Sequence, residues 1–244
     1  MTWLFDLGNT RLKWARVDDG GLRERGALAH GEPGFEHALD ACLAELPRAE
    51  RALLASVAGE DLAARVAALA ARHGVPCERV HTQSEFAGLR IAYAEPARLG
   101  VDRFLALLGA HRRGPGPWLI VGVGTALTVD LLADGEHLGG LIAPSPALMR
   151  EMLASRVPAL DVAGGERVDF ARCTEDALAG GTVGSALGLI ERSHARASEC
   201  LGTTPALLIA GGGGDSLLAA LRVPAEAAPD LVLEGLAVRA AVTG

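Results

Sequence analysis

Residues 3–14, Trp-Leu-Phe-Asp-Leu-Gly-Asn-Thr-Arg-Leu-Lys-Trp, bring a carboxylate, a glycine turn, a hydroxyl and an ammonium close together in the chain. Apolar residues run into Asp6, then Gly8, Asn9 and Thr10 turn the chain, and Lys13 follows three residues later. A strand end that presents a carboxylate, free turn N–H groups, a hydroxyl and an ammonium is equipped to hold metal-bound phosphate. The glycine lets the backbone approach an anion closely, and Lys13 supplies compensating charge. The same residues also describe an ordinary β-hairpin turn with solvated charges, and this stretch alone leaves both readings open.

Residues 118–130, Trp-Leu-Ile-Val-Gly-Val-Gly-Thr-Ala-Leu-Thr-Val-Asp, repeat the pattern. With Gly8 laid over Gly124, each segment shows a Trp-opened apolar run, a glycine, and then Asn9-Thr10 against Thr125-Ala126; Asp6 falls over Gly122. Such internal similarity suggests a duplicated unit. Two such turns facing each other would make a cleft suited to a nucleoside triphosphate. Two unrelated buried hairpins would also give so short a match.

A third cluster runs from Tyr93 through Glu95, Pro96, Gly100, Val101 and Asp102 to Arg103. Gly100 lets the chain bend, and Asp102 then stands at a helix start, where the dipole favours a carboxylate. In a structural reading Asp102 caps the helix and Arg103 is a surface charge. In a functional reading Asp102 accepts a proton from a substrate hydroxyl, and the planar fork of Arg103 binds a carboxylate. Gly211–Gly214 lies between an expected strand and an expected helix. It admits a nucleotide base or sugar, or serves as a tight loop. Neither G-x-G-x-x-G nor G-x-x-x-x-G-K-[ST] is complete, so dinucleotide and P-loop readings are weak.

The elements that position these clusters read as follows. Strands are expected at Lys13–Val17 and Leu22–His30, joined by a hairpin loop at Asp18–Gly21. Phe35–Leu46 has helical spacing, Arg51–Val57 is a buried strand, and Glu60–His73 is a helix ended by Gly74. Val75–His81 reads as a strand, Leu89–Tyr93 as extended chain before Pro96, and Asp102–Arg113 as a helix. Gly114-Pro115-Gly116-Pro117 is the candidate hinge between residues 1–117 and 118–244. Strands follow at Trp118–Val123, Ala126–Leu132 and His137–Ile142, then a helix from Pro144-Ser145-Pro146 to about Arg156. Thr174–Cys200 is a long helix weakened in the middle by glycines. Ala206–Ala210 is a strand, and Asp215–Leu221 and Leu231–Val242 are helices. Hairpin strands followed by alternating strands and helices, twice over, imply an α/β protein with two similar lobes.

At 244 residues the chain fits one large domain or two. Half of it is hydrophobic and 22% is charged, so disorder is not expected. A net charge of −7 without a Lys/Arg block disfavours nucleic-acid binding as a main function. Cys42, Cys77, Cys173 and Cys200 form no C-x-x-C pair and read as reduced thiols, and the scattered histidines argue against zinc. No charged leader region precedes the first apolar stretch, and no apolar run reaches membrane-spanning length. The expectation is a soluble protein in a reducing cytoplasm, with no membrane partner.

Taken together, the clusters resemble type III pantothenate kinase, of the actin, sugar-kinase and Hsp70 ATPase superfamily. The resemblance runs through Asp6-Leu7-Gly8-Asn9-Thr10 with Lys13, Tyr93 with Pro96, and Gly100-Val101-Asp102-Arg103. It continues through Gly124-Thr125-Ala126-x-Thr128-x-Asp130, Gly139-Gly140 with Pro144-Ser145, and Thr174 at the head of the long helix. It implies two ribonuclease-H-like lobes with a cleft between them, and phosphorylation of pantothenate by ATP with Mg²⁺ in coenzyme A biosynthesis. The ATP phosphates would lie on Asp6, Leu7, Gly8, Asn9, Thr10, Arg11, Leu12 and Lys13, with Asp6 holding the divalent metal through water and Gly124 and Thr125 contributing from the second lobe. Tyr93, Gly100, Val101, Asp102, Arg103 and Thr174 would form the pantothenate site. Asp102 would be the base and Thr174 would reach across a homodimer interface. One departure is Gly122, where the family usually has an acid that binds K⁺ or NH₄⁺; the monovalent-cation site is therefore in doubt. Glu95 stands where the family commonly has Asn. The rival readings are a kinase for another small hydroxylated substrate and a non-catalytic nucleotide-binding, transcriptional accessory protein.

Overall fold

The computed structural model describes residues 1–18, 21–157, 160 and 163–242; Asp19 and Gly20 of the expected hairpin loop lie outside the described residues. Contacts divide the chain into two units. The first comprises Met1–Pro115, Gly135–His137 and Asp230–Gly244, and the second Gly116–Asp134 and Leu138–Pro229.

In the first unit, β1 (Thr2–Leu7), β2 (Arg11–Asp18) and β3 (Gly21–Ala29) pair antiparallel in sequence order. After helix α1 (Phe35–Glu45), β4 (Arg51–Ser56) adds in parallel to the other side of β1. Helix α2 (Glu60–Arg72) then leads to β5 (Cys77–Arg79), parallel to β4, and the order is β3-β2-β1-β4-β5. The central strands are apolar on both faces because both are covered. Trp3, Phe5, Leu7, Ala52 and Leu54 pack with Phe35, Leu39 and Leu43 of α1 and with Ala63, Val66 and Ala70 of α2. The alternate residues Leu4, Leu53 and Ala55 are equally buried and point to the opposite face. A two-residue hairpin, β6 (Glu85–Phe86) and β7 (Leu89–Arg90), turns through Ala87 and Gly88, both at positive φ. A single 3₁₀ turn at Pro96–Arg98 then precedes α3 (Val101–Arg113).

The second unit repeats this plan. β8 (Trp118–Val123) pairs antiparallel with β9 (Ala126–Ala133), which neighbours β10 (Glu136–Pro144). Helices α4 (Pro146–Arg156) and α5 (Thr174–Leu201) come before β11 (Ala206–Ala210), which lies parallel to β8. The short helix α6 (Gly214–Leu218) precedes β12 (Glu226–Ala227), parallel to β11. The order β10-β9-β8-β11-β12 reproduces β3-β2-β1-β4-β5 with the same strand directions. The duplication suggested by two short motifs thus extends to five strands in each sheet, the second of which continues past β10 into β7 and β6.

Several expected elements differ in extent. Strand pairing covers Cys77–Arg79 rather than Val75–His81, and α6 ends at Leu218 rather than Leu221. The long helix is continuous through its glycines, and at Gly180 the Val168 carbonyl approaches to where a Cβ would stand 2.6 Å away. The last helix, α7 (Leu231–Val242), packs on α3 in the first unit, whereas a cut at 117/118 would place it in the second. Here Gly109 meets the Leu231 carbonyl and Gly235 the Leu105 carbonyl, closer than a Cβ allows.

In an exposed helix Gly→Ala stabilises by up to about 1 kcal/mol. At this crossing the added methyl would overlap backbone. Gly235→Ala should therefore destabilise the chain by about 1–3 kcal/mol, the usual range for overpacking, seen as a lower urea midpoint at unchanged slope.

Candidate active site

β1 carries Asp6 to the end of a strand whose neighbouring residues are buried on both faces. The β1–β2 ladder pairs Asp6 with Lys13 and Leu7 with Leu12, so the two charged side chains share one face. The loop between them closes when the Gly8 N–H donates to the Arg11 carbonyl at 3.0 Å. Asn9, Thr10 and Arg11 are exposed on it, whereas Leu7 and Leu12 are fully buried core residues that offer a ligand only backbone. Desolvation pushes the Asp6 carboxyl up from its ordinary 3.8 to about 7; Lys13 opposes this and the charge of Asp102 adds to it. Asp6, Lys13 and Asp102 therefore sit in one electrostatic field, although 96 positions separate the two carboxylates in sequence.

Asp102 occupies the first turn of α3, after Gly100 at the N-cap. Its Oδ1 accepts the Arg103 backbone N–H at 2.8 Å, and a Cβ at Gly100 would stand 2.6 Å from that same oxygen. Gly100 thus makes room for the carboxylate. The Thr82 hydroxyl donates to the Leu99 carbonyl at 2.8 Å and ties down the approach to the helix. Arg103 is not the surface charge of the structural reading: it is only 6% exposed, and its Nη1 donates to the Tyr93 hydroxyl at 3.1 Å. The Tyr93 ring in turn stacks on His137, with centroids 5.9 Å apart and planes 22° from parallel. His137 is buried and belongs to the first unit although it lies on β10. Sequence reasoning missed it, because an isolated histidine on a strand gives no local signal.

Gly122, Gly124, Thr125 and Thr174 belong to the second unit. There Gly124 N–H donates to the Ala126 carbonyl at 2.9 Å, closing a turn one residue shorter than the first. Gly124 and Thr125 are exposed, and so is Thr174, the first residue of α5. Gly122 pairs with Thr128 across the ladder, the positions that Asp6 and Lys13 hold in the first unit. A Cβ at Gly122 would lie 2.6 Å from Thr128 Oγ1. The Gly211–Gly214 loop packs on the end of β8: Gly213 N–H donates to the Val123 carbonyl at 3.1 Å, and the same carbonyl lies against Gly211.

Among the described residues no group of three or more His, Cys, Asp or Glu forms a metal cage. A divalent ion carried by nucleotide phosphates needs only one or two protein carboxylates. The desolvated Asp6, with the charge of Asp102 near it, fits such an ion. Position 122 supplies no carboxylate, and the donor set there does not match a charged monovalent-cation site.

Residues 3–196 match the type III pantothenate kinase family. A protein of Xanthomonas campestris pv. campestris (strain 8004) named type III pantothenate kinase is 48% identical over 236 residues, covering 96% of this chain and 95% of its own. Among solved structures, a putative Baf family transcriptional activator from Campylobacter jejuni aligns with a TM-score of 0.63 at 19% identity, covering 99% of this chain and 100% of its own. A putative 2-dehydro-3-deoxygalactonokinase from Sinorhizobium meliloti gives 0.61 at 18%, covering 99% of each chain. The fold is that of the sugar-kinase and actin-like ATPases, and the chain is a kinase by class. It belongs to the type III pantothenate kinase family.

The raised pKa of Asp6 has a stability consequence. Between about 4 and 7 the folded chain holds a proton that the unfolded chain has released, so this group's stabilising contribution is complete below the unfolded value and is lost as pH rises through about 7. In EDTA, Asp6→Asn should match the parent near the ordinary carboxylate value and be more stable at alkaline pH. The gain should be roughly 1–3 kcal/mol, less than the full shift implies because water still reaches the side chain. Urea melts at the two pH values check this; a gain of equal size at both would assign it to another cause.

Proposed function

We propose that the chain transfers the γ-phosphoryl group of ATP to the primary hydroxyl of pantothenate, the reaction of its family in coenzyme A biosynthesis, with the residues of the first unit in the following roles. The observation that carries this reading is the grouping of Asp6, Lys13 and Asp102 in one field, beside a buried Arg103 bonded to the half-buried Tyr93. Phosphoryl transfer demands positioning and charge neutralisation more than covalent chemistry. Lys13 and the turn N–H groups of Asn9 and Thr10 hold the ATP phosphates on the first unit, and Gly124 and Thr125 form the corresponding turn of the second unit. Asp6 holds the divalent ion through water, and that ion neutralises phosphate charge when bound. Asp102, fixed by the Arg103 N–H and the space at Gly100, orients the pantothenate hydroxyl and takes its proton late in transfer. Tyr93 and Arg103 line the acceptor site.

A homodimer in which Thr174 completes the partner's acceptor site accords with the apolar surface of the second unit. Leu138, Leu141, Ile142, Met152 and Leu153 are exposed there, beside a hollow of about 550 Å³ lined by Met149, Met152, Leu153 and Leu178. A cytoplasmic location accords with four free thiols; among the described residues no helix is long and apolar enough to cross a membrane. A non-catalytic role is not favoured, since Asp6 and Asp102 are both in place.

ADP release coupled to a reporter should be strong with pantothenate and weak with other hydroxylated acids; the reverse preference would move the chain to another acceptor. In that assay Asp102→Asn should lose about 10²–10⁴ in kcat while still binding ATP and pantothenate, and near-native turnover would remove Asp102 from the role of base. With Gly122 in place of an acid, turnover in a Na⁺ background should change little when K⁺ is added. A strict K⁺ requirement would instead point to a cation site built from carbonyl oxygens.

A further inference from the structure

His30 follows the last residue of β3 and bonds twice to the loop that joins β1 and β2. Its backbone N–H donates to the Thr10 carbonyl at 3.3 Å, and its Nε2 lies 2.9 Å from the Gly8 carbonyl. A carbonyl oxygen only accepts, so Nε2 carries the proton and donates. The ring is held edge-on by Phe35, itself buried in the core, at 6.0 Å and 75°.

Peptide groups are planar and trans, so fixing a carbonyl fixes the following N–H on the opposite side. Holding the Gly8 oxygen therefore aims the Asn9 N–H away from His30, and holding the Thr10 oxygen does the same for the Arg11 N–H. Gly8 is the residue at which this peptide could turn over most cheaply, because glycine tolerates both signs of φ. A turned Gly8–Asn9 peptide would present an oxygen where a phosphate needs a donor. The second unit contains half of the same device: Ser145, one residue past β10, donates its N–H to the Thr125 carbonyl at 3.3 Å. Its side chain caps α4 instead, accepting from the Leu148 N–H at 3.3 Å. The imidazole bond to the glycine carbonyl is thus an addition peculiar to the charged turn.

We infer that His30 is a positioning residue for ATP, clamping the carbonyls of the Gly8–Thr10 turn so that its N–H groups stay aimed at the phosphates. This rests on the reading of that turn as the phosphate site, and the test separates the two. His30→Phe keeps an aromatic ring against Phe35 and removes the donor, while His30→Gln restores a side-chain N–H.

In His30→Phe the KM for ATP and the dissociation constant of a non-hydrolysable ATP analogue should rise roughly three- to tenfold, the yield of one hydrogen bond. The KM for pantothenate and the urea midpoint should stay near the parent's, and His30→Gln should recover most of the ATP affinity. An unchanged ATP constant in His30→Phe, a parallel rise in both KM values, or a Gln variant no better than Phe would overturn the inference. Lys13→Ala, measured alongside, tests the turn itself. If it weakens ATP and His30→Phe does not, only the clamp fails; if Lys13→Ala leaves ATP binding unchanged, the phosphate reading fails and takes the clamp with it.

Discussion

A carboxylate placed at the end of a strand that is buried on both faces is the constraint from which the site follows. β1 is central because β2 and β4 flank it, and helices cover both sides of it. Asp6 thereby loses water, and this desolvation is the main reason its carboxyl rises to about 7. The same desolvation strengthens any interaction with a cation brought by a ligand. Lys13, across the ladder, offsets part of the cost.

The second sheet shows what the duplicated scaffold does when this constraint is relaxed. The strand order and the first ladder are reproduced, but the pair at the corresponding positions is Gly122 and Thr128. Neither residue of this pair carries a charge, and the Thr128 hydroxyl occupies the ground where a side chain at 122 would begin. The change at 122 is therefore compensated by packing from the neighbouring strand. An acidic residue there would require Thr128 to turn aside. The two units have diverged into a charged turn and a neutral one.

Much of this was legible in the sequence wherever periodicity and punctuation agreed. The β1 and β8 strands, the α1 and α2 helices and both glycine turns are found where apolar alternation or helical spacing meets a glycine. The Asp102 motif was legible as types and spacing, and the structure adds the reason for its glycine. The β6–β7 hairpin was not legible, since two-residue strands carry no period and Ala87 at positive φ is a poor turn signal. The placement of α7 was hidden too, because its partner α3 is distant in sequence and the Gly109 and Gly235 contacts exist only in three dimensions. His30 and His137 escaped for the same reason: the partners of each are brought close only by the fold, and neither sits in a motif.

The glycines of these motifs make a more general point about how such loops are built. Gly100 yields space to the carboxylate of Asp102, and Gly211 and Gly213 yield space to Val123. In each case the missing side chain is missing because protein atoms occupy its place. The sequence reading of Gly211–Gly214 left open a surface for a base or sugar and a tight loop; packing against β8 accounts for its first and third glycines without any ligand. Gly8 and Gly124, at 3.4 Å from the Arg11 carbonyl and 3.9 Å from the Ala126 carbonyl, instead make ordinary contacts in turns with exposed neighbours, and of the two Gly8 lies on the charged turn. It is therefore the position at which backbone freedom, rather than close packing, has to be controlled by another residue, and His30 stands at that carbonyl.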